Sequence, residues 1–420
     1  MVHEVSPQSN QVRPFGIDPA LSGLGSEFLE ISAKLARGWA EVGTAALIAA
    51  TEPLNGIRSV ALTREFWDAA IAHPSMDRIP SKVIWQDKRG HLLKYESPEV
   101  VNPGVEVQEV PEVEFFAYMN DGDILGDKVI PASIAAGINT LRFVWDEPHR
   151  GAKDERFDNY VLDTMRGAIE ATKAEYGVPE VNVLGWCQGA YSVAVLASLQ
   201  SQIAESEGRP KNEGIGIKNM VFLTPPFTIS EEQKKLGGLA GMATKADFDN
   251  LAIARANGGI FPGFLIDEGV KSLRPNDPFA TYQRLARLIL DGDKPKIQRW
   301  KEMNSWVNNR RNMSEDNHDF FMEELYRKNS FYLGKLMLRN MKASLANVNV
   351  NGNEILVVVA EEDDIVRPPQ TDGGLHLFDQ QHLTVMRVPG GHIGGINDIN
   401  SKNIANWFIE NDRSKLSRSR

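Results

Sequence analysis

Apolar and polar residues follow two different periods along the chain, which indicates that it contains both strands and helices. The segment "SKVIWQDKRGHLLKYE" (81–96) has two alternating runs on either side of a Lys-Arg-Gly turn and predicts a β-hairpin. Apolar residues at steps of three and four predict helices within 26–50 and 62–74. We therefore expect residues 1–79 to form an N-terminal helical segment.

After the hairpin, short apolar runs alternate with helical patterns. The predicted strands are 113–119, 139–145, 181–186, 219–227, 353–360 and 383–388, and the predicted helices include 126–137, 158–177 and one that begins near Gly189. This alternation is typical of right-handed crossovers in a mostly parallel sheet. The fold class is therefore predicted to be α/β.

Strand patterns are missing from about 228 to 345. Helices are predicted instead at 276–290, where Asp277 can cap, and at 314–328, where Ser314 can cap. A helical block between two strands predicts a cap over the edge of the sheet where α/β sites lie. The predicted organisation is a helical segment (1–79), a core in two parts (80–227 and 346–411), a cap (228–345) and a disordered tail (412–420) after a last helix at 403–411.

The only cysteine of the chain lies where a predicted strand meets a predicted helix. The sequence Gly185-Trp186-Cys187-Gln188-Gly189 has the G-x-nucleophile-x-G form of a nucleophile elbow, in which flanking glycines permit a sharp turn. The positive end of a helix dipole favours a thiolate at such a position. Cys187 is thus a candidate nucleophile, and an inert buried cysteine is the alternative.

An elbow nucleophile needs a base, which in this fold follows later in the chain, after an acidic residue. The strand at 353–360 ends in carboxylates, Asp363 and Asp364 among them, and the next strand ends in the glycine-flanked His392. We expect His392 to take the thiol proton and one of the two aspartates to orient the imidazole ring. Neighbouring residues point to opposite sides, so only one aspartate can face His392.

Composition excludes several other classes of protein. The net charge of −10 argues against nucleic-acid binding, and no nucleotide-binding motif is present. His376, His382 and His392 match no common spacing of metal ligands, so we predict no metal and no cofactor. No signal-peptide pattern or run of about 18 apolar residues is visible, and a single cysteine fits a reducing compartment. We expect a cytoplasmic protein.

The motifs together resemble those of the polyhydroxyalkanoate synthases, cysteine-dependent enzymes of the α/β-hydrolase fold. The resemblance is carried by "LGWCQGA", "EEDDIVRPP" and "GGHIGG", and extends to 80–96, 138–148 and 299–336. It is closest to the smaller synthases of that family. It implies an α/β-hydrolase fold with a helical cap, and an acyltransferase that polymerises (R)-3-hydroxyacyl-CoA with release of CoA.

The resemblance also implies roles for particular residues. Cys187 is then the acylated nucleophile, His392 the base, and Asp363 rather than Asp364 the acid. The backbone amide of Gln188, the residue after the nucleophile, is expected to be one oxyanion donor. Two features depart from the family: Ala190 replaces a usual glycine, and the segment 110–123 keeps only part of the usual oxyanion sequence.

Two alternatives stay open. Intracellular polyhydroxyalkanoate depolymerases resemble the chain in 260–265 and 361–371, and there water would attack the acyl-enzyme. A non-catalytic protein that coats polymer granules would need none of the three catalytic residues. The synthase interpretation implies a hydroxyacyl-CoA substrate, a polyester product, a homodimer or a complex with a second synthase subunit, and a location in the cytoplasm or at the granule surface.

Overall fold

The computed structural model describes most of the chain beyond residue 78. The described residues are 63–72, 79–115, 128–149, 151–152, 155–230, 257–263, 265–266, 277–307, 311–348 and 352–418, with the single residues 43, 60, 74 and 254. The predicted helix within 26–50 lies outside them. The predicted helix at 62–74 is represented by α1 (Arg64–Ala70), whose first turn is capped by the Thr63 side chain.

Eight strands form one central sheet. In chain order they are β1 (Ser81–Gln86), β2 (Gly90–Tyr95), β3 (Gln108–Phe115), β4 (Ile138–Trp145), β5 (Val181–Trp186), β6 (Ile217–Leu223), β11 (Ile355–Ala360) and β12 (Leu383–Val388). The short strands β7 (Ile260–Phe261), β8 (Met313–Ser314), β9 (Leu336–Leu338) and β10 (Met341–Ala343) pair outside that sheet.

The strand order of the central sheet is β1-β2-β4-β3-β5-β6-β11-β12. Strands β4, β3, β5, β6, β11 and β12 run parallel to one another, while β2 is antiparallel to both of its neighbours. An eight-stranded sheet with one antiparallel strand in second place, and helices at the crossovers, is the α/β-hydrolase fold. The predicted hairpin at 81–96 is confirmed, as is the mostly parallel sheet.

The central strands are apolar because helices cover both faces of the sheet. All six residues of β5 and all six of β11 are buried. The described helices after α1 are α2 (Pro98–Val101), α3 (Val129–Ala135), α4 (Arg166–Tyr176), α5 (Gln188–Ser206), α6 (Asp277–Leu290), α7 (Lys294–Val307), α8 (Glu315–Phe320), α9 (Pro368–Asp372) and α10 (Asp398–Arg418). The long α5 follows β5 directly and is buried through most of its length.

Between β6 and β11 the described residues form mainly helices, which lie beside the core. Phe320 of α8 stacks on Phe157 of the core with ring centroids 3.8 Å apart. Arg339, in the β9–β10 turn, donates to Asp158 at 2.9 Å and forms a bidentate pair with Asp163. A bidentate guanidinium–carboxylate pair fixes orientation as well as distance, so this contact anchors the segment to the core.

Two local predictions were wrong in detail, and two confirmed helices depart from regular α-helical geometry. Ser314 occupies the cap position of α8, but its hydroxyl donates to the carbonyl of Glu155 at 2.9 Å and makes no capping bond. Strand patterns were predicted to be absent from 228–345, yet two short strand pairs occur there. The predicted helices at 158–177 and 314–328 each contain a π-helical segment, Asn159–Met165 and Phe321–Arg327.

The last helix is also longer than predicted. Residues 403–411 were expected to be helical, with a disordered tail from 412, but α10 continues to Arg418. Asp412 is 2% exposed, pairs with Lys218, and accepts a hydrogen bond from the buried Asn219. This polar contact to the sheet stabilises the helix where the pattern of apolar residues ends.

Burial of a histidine in α8 makes stability depend on pH. Burial lowers the pKa of His318 to about 4, and its ring stacks on Phe261 at 3.7 Å. Because the unfolded chain takes up this proton near pH 6.5 and the folded chain does not, acidification from pH 6.5 to 4 should cost about 3 kcal/mol of stability. His318→Phe should remove this part of the acid sensitivity, measured by urea unfolding at pH 7 and pH 4.5. An equal loss of stability on acidification in the wild type and in His318→Phe would contradict this role of His318.

None of the helices in the described ranges is long and apolar enough to cross a bilayer.

Candidate active site

Cys187 lies at a sharp turn between β5 and α5. Its backbone has φ 54° and ψ −117°, a region that residues other than glycine rarely adopt. The Cys187 N–H donates to the carbonyl of Leu223 at 2.9 Å, and its carbonyl accepts from the N–H of Tyr191 at 3.1 Å. The thiol is therefore held at the first turn of a buried helix by a strained backbone, which is the arrangement of a nucleophile elbow.

Gly185 allows the helix to approach the strand. A Cβ atom at this position would lie 2.6 Å from the Cα of Ala190 and 2.9 Å from the carbonyl oxygen of Gly189. Both neighbours are backbone atoms that cannot move away without displacing α5. The first glycine of the motif is thus required by close packing.

Asp363 and His392 meet beyond the ends of β11 and β12. The Nδ1 of His392 lies 2.6 Å from Oδ2 of Asp363, and both side chains are almost fully buried. The other carboxylate oxygen, Oδ1, accepts from the N–H groups of Ile365 and Val366 at 2.8 and 2.9 Å. Three hydrogen bonds therefore fix the carboxylate in place, and it in turn fixes the orientation of the imidazole ring.

The structure brings only one of the two neighbouring aspartates to the histidine. Asp364 is half-buried and lies 3.8 Å from the guanidinium of Arg367, while Glu361 and Glu362 are exposed. The two other histidines of this region have separate partners. His382 contacts Glu354 at 3.0 Å and His376 packs near the ring of Tyr332. The three histidines 376, 382 and 392 thus do not converge on one point.

His392 interacts with Cys187 as well as with Asp363. Burial lowers the pKa of His392, but the negative charge of Asp363 and then that of Cys187 raise it by more, as do hydrogen bonds to both groups. The net effect is a raised pKa. Since Nδ1 is bound to Asp363, the nitrogen left for the sulfur is Nε2. The raised pKa makes the imidazole a stronger base toward the sulfur.

Two tryptophans pack beside the histidine. The ring of Trp186 lies 5.2 Å from that of His392 and stacks on Trp306 of α7 at 5.5 Å. Trp186 Nε1 donates to the hydroxyl of Thr224, whose own backbone has φ 42°. These contacts restrict the imidazole ring from the side. Through Trp186, they also connect Trp306, which lies between β6 and β11, to the histidine.

Gln188 is the first residue of α5, where helix N–H groups have no partner within the helix. Its backbone N–H is therefore suited to an oxyanion. Its side-chain Nε2 donates to the hydroxyl of Tyr326 at 3.2 Å. In related folds a second donor follows β3, and the part of the expected oxyanion segment 110–123 that follows Phe115 lies outside the described residues.

A cleft lies beside the first turns of α5. Aromatic side chains form much of its wall, and polar groups come from α5 and from the segment between β6 and β11. Its lining includes Trp145, Phe157, Tyr160, Ser192, Asn317 and Phe321. Ser192 donates to the carbonyl of Gln188 at 2.8 Å, so the cleft and the elbow share one helical turn.

Sequence reasoning did not single out Trp186, Trp306, Thr224 or Tyr326. Trp186 lies inside the quoted G-x-C-x-G motif, and Trp306 and Tyr326 lie inside the segment 299–336 that carried part of the resemblance, so a signal existed for these three. No pattern in the sequence marks Thr224. Among the described residues, no group of three or more histidine, cysteine, aspartate or glutamate side chains is placed to hold a metal ion.

No protein-family model matches the chain. Curated relatives named poly(3-hydroxyalkanoate) polymerase subunit PhaC are similar to most of it. The protein from Haloferax mediterranei is 22% identical over 81% of this chain and 66% of its own length. Those from Allochromatium vinosum and Thiocystis violacea are 22% and 24% identical, each over 75% of this chain and 82% of its own length.

Solved structures with the same general architecture are more distant. Est1E from Butyrivibrio proteoclasticus is 12% identical, with a TM-score of 0.44 over 79% of this chain and 99% of its own. A putative hydrolase from Agrobacterium vitis is 13% identical, with a TM-score of 0.43 over 80% of this chain and 98% of its own. The strand order establishes the fold, and the chain is thus an α/β-hydrolase-fold protein similar over about three-quarters of its length to poly(3-hydroxyalkanoate) polymerase subunits.

Proposed function

We propose that the protein is a polyhydroxyalkanoate synthase-like acyltransferase in which Cys187, His392 and Asp363 form the catalytic triad. The observation that carries the proposal is the buried 2.6 Å contact between His392 and Asp363, with the imidazole interacting with a cysteine at an elbow. The similarity to polymerase subunits supports the choice of substrate, an (R)-3-hydroxyacyl-CoA thioester.

In the proposed acylation step, the Cys187 sulfur attacks the thioester carbonyl and its proton passes to Nε2 of His392. Asp363 stabilises the imidazolium that results. As the tetrahedral intermediate collapses, the bond from carbon to the CoA sulfur breaks and His392 returns the proton to that sulfur, so that CoA leaves as a thiol. The Gln188 N–H binds the oxyanion.

In the proposed transfer step, the hydroxyl of a second hydroxyacyl group attacks the acyl-cysteine. His392 accepts the hydroxyl proton, the bond from the carbonyl carbon to the Cys187 sulfur breaks as the new ester bond forms, and His392 returns the proton to that sulfur. Cysteine suits this chemistry because a thioester exchanges readily with thiols and alcohols. The aromatic cleft beside α5 supplies an apolar wall for the acyl group.

The polyester product is insoluble, so we propose that the protein works in the cytoplasm at the surface of polymer granules. The helical cap and the N-terminal segment are the regions proposed to face the polymer. A homodimer, or a complex with a second synthase subunit, is part of the same proposal. Each follows from the proposed reaction and the polymerase relatives.

The experiment that tests the proposed function follows both products of the reaction. The protein is incubated with (R)-3-hydroxybutyryl-CoA, alone and with a purified second synthase subunit, and CoA and polymer are measured together. We expect CoA release with polymer formation. Release of free hydroxy acid from amorphous polymer, without CoA release, would replace the proposal with a water-using depolymerase. If neither reaction occurred, an enzymatic role in this chemistry would be contradicted.

A further inference from the structure

Tyr326, which lies between β6 and β11, contacts the elbow through the side chain of Gln188. It lies in the π-helical turn Phe321–Arg327 and is 4% exposed. Its hydroxyl oxygen accepts a hydrogen bond from Nε2 of Gln188, the residue directly after the nucleophile, at 3.2 Å. Among the residues that the structure describes, no acceptor for the proton of this hydroxyl lies within hydrogen-bond distance. The phenol thus has a proton to donate at a position set by Gln188.

The hydroxyl also interacts electrostatically with Cys187. Burial raises the pKa of Tyr326, and a negative charge on Cys187 raises it further, against the effect of the Gln188 hydrogen bond. Both effects favour the protonated phenol. Among the described residues no direct hydrogen bond joins the phenol to the thiol, so the phenol proton is not engaged by the sulfur.

We infer that the Tyr326 hydroxyl is the second oxyanion donor, which binds the carbonyl oxygen of the acyl group while Cys187 attacks. The backbone N–H of Gln188 is the first donor, and the side chain of the same residue holds the tyrosine oxygen. One donor thereby belongs to the residue that follows the nucleophile, and the other is held by that residue's side chain. This inference depends on the proposed acyl transfer. Tyr326 keeps its proton throughout, and the proton that moves is still the one from Cys187 to His392 and on to CoA.

An oxyanion donor makes a specific kinetic prediction. Attack on a carbonyl creates an oxyanion, whereas alkylation of the same thiol by iodoacetamide displaces iodide and creates none. Tyr326→Phe should therefore lower acyl transfer by about 10²–10³-fold, the usual cost of one lost oxyanion donor. It should leave the rate of alkylation of Cys187 unchanged, because the thiol and its base stay in place.

The matched control is Tyr191→Phe. Tyr191 is fully buried in the same apolar cluster as Tyr326, and its hydroxyl has no hydrogen-bond partner among the described residues. Removing that oxygen should change neither reaction. Loss of acyl transfer and alkylation in parallel for Tyr326→Phe would show that Tyr326 only shapes the site. Loss of neither would also overturn the inference.

A second variant and a second substrate keep the test decisive. Gln188→Leu leaves the tyrosine hydroxyl but removes the group that holds it, so acyl transfer should fall with alkylation again unchanged. This variant decides the question if Tyr326→Phe does not fold. Acylation of Cys187 by p-nitrophenyl acetate is measured in every variant. If hydroxyacyl-CoA does not react but the activated ester shows the predicted loss, the proposed function fails while the inference stands.

Discussion

Cys187→Ala is expected to abolish acyl transfer, with a loss of at least about 10⁴-fold in kcat/KM. The methyl group that remains cannot attack a carbonyl, and the proposed mechanism offers no other nucleophile. The measurement is CoA release from (R)-3-hydroxybutyryl-CoA, followed with a thiol reagent. Because Cys187 is the only cysteine of the chain, the variant contributes no thiol to the background.

The fold should survive this substitution. Alanine removes one buried atom and meets the same backbone strain at φ 54°, so we expect a loss of about 1 kcal/mol in the free energy of unfolding. The control is Cys187→Ser, which keeps a weaker nucleophile in the same place and should retain low activity. If Cys187→Ala kept the activity of the wild type, the triad would have no part in the reaction, and a non-catalytic granule protein would become the better interpretation.

Asp363→Asn is expected to lower activity by about 10⁴-fold because it reverses the proton positions on His392. The asparagine oxygen must stay toward the N–H groups of Ile365 and Val366, which places its NH₂ group against Nδ1. The imidazole then carries its proton on Nε2 and cannot accept one from the thiol. His392→Gln, which lacks the base altogether, should lose activity to a similar extent.

The same variant should change the dependence on pH. In the wild type Asp363 helps to raise the pKa of His392, so the imidazole is a stronger base toward Cys187 and alkylation of Cys187 is expected to be fast at neutral pH. Without the carboxylate charge, burial dominates and the pKa of His392 falls. Alkylation should then be slow at pH 7 and recover only in alkaline solution, measured with iodoacetamide from pH 5 to 9.

The neighbouring carboxylate offers a matched control. Asp364→Asn makes the same chemical change one residue away, on a half-buried side chain that faces Arg367 rather than His392. We expect its activity and its alkylation profile to match those of the wild type. Equal losses in the Asp363 and Asp364 variants, or equal alkylation rates in wild type and His392→Gln, would count against the proposed cysteine–histidine pair.

The central strands could be predicted because a strand that is buried on both faces consists of nearly consecutive apolar residues. Strand β11 is a continuous apolar run and β5 is apolar except for Asn182, and the candidate residues follow these strands at positions that the fold dictates. The choice between Asp363 and Asp364 could not be made from residue types alone. It depends on a tight turn in which one carboxylate oxygen accepts two backbone N–H groups. The resemblance to a family, and not the spacing, selected Asp363.

Contacts between distant parts of the chain account for most of what was missed. Gln188 and Tyr326 are 138 residues apart, and no local pattern records that they meet. Ser314 has the residue type of a helix cap, but a carbonyl from Glu155 offers its hydroxyl another partner. The last helix passes residue 411 because Asp412 bonds to the sheet, which a helical period of apolar residues cannot reveal.

The most direct test of the central claim is the mass of the peptide that contains Cys187 after brief mixing with (R)-3-hydroxybutyryl-CoA. We predict an added hydroxybutyryl group, or a short oligomer of it, on Cys187 itself. The adduct should be released by hydroxylamine, as a thioester is. Turnover of the substrate with Cys187 unmodified at all times, or an adduct on any other residue, would contradict the account.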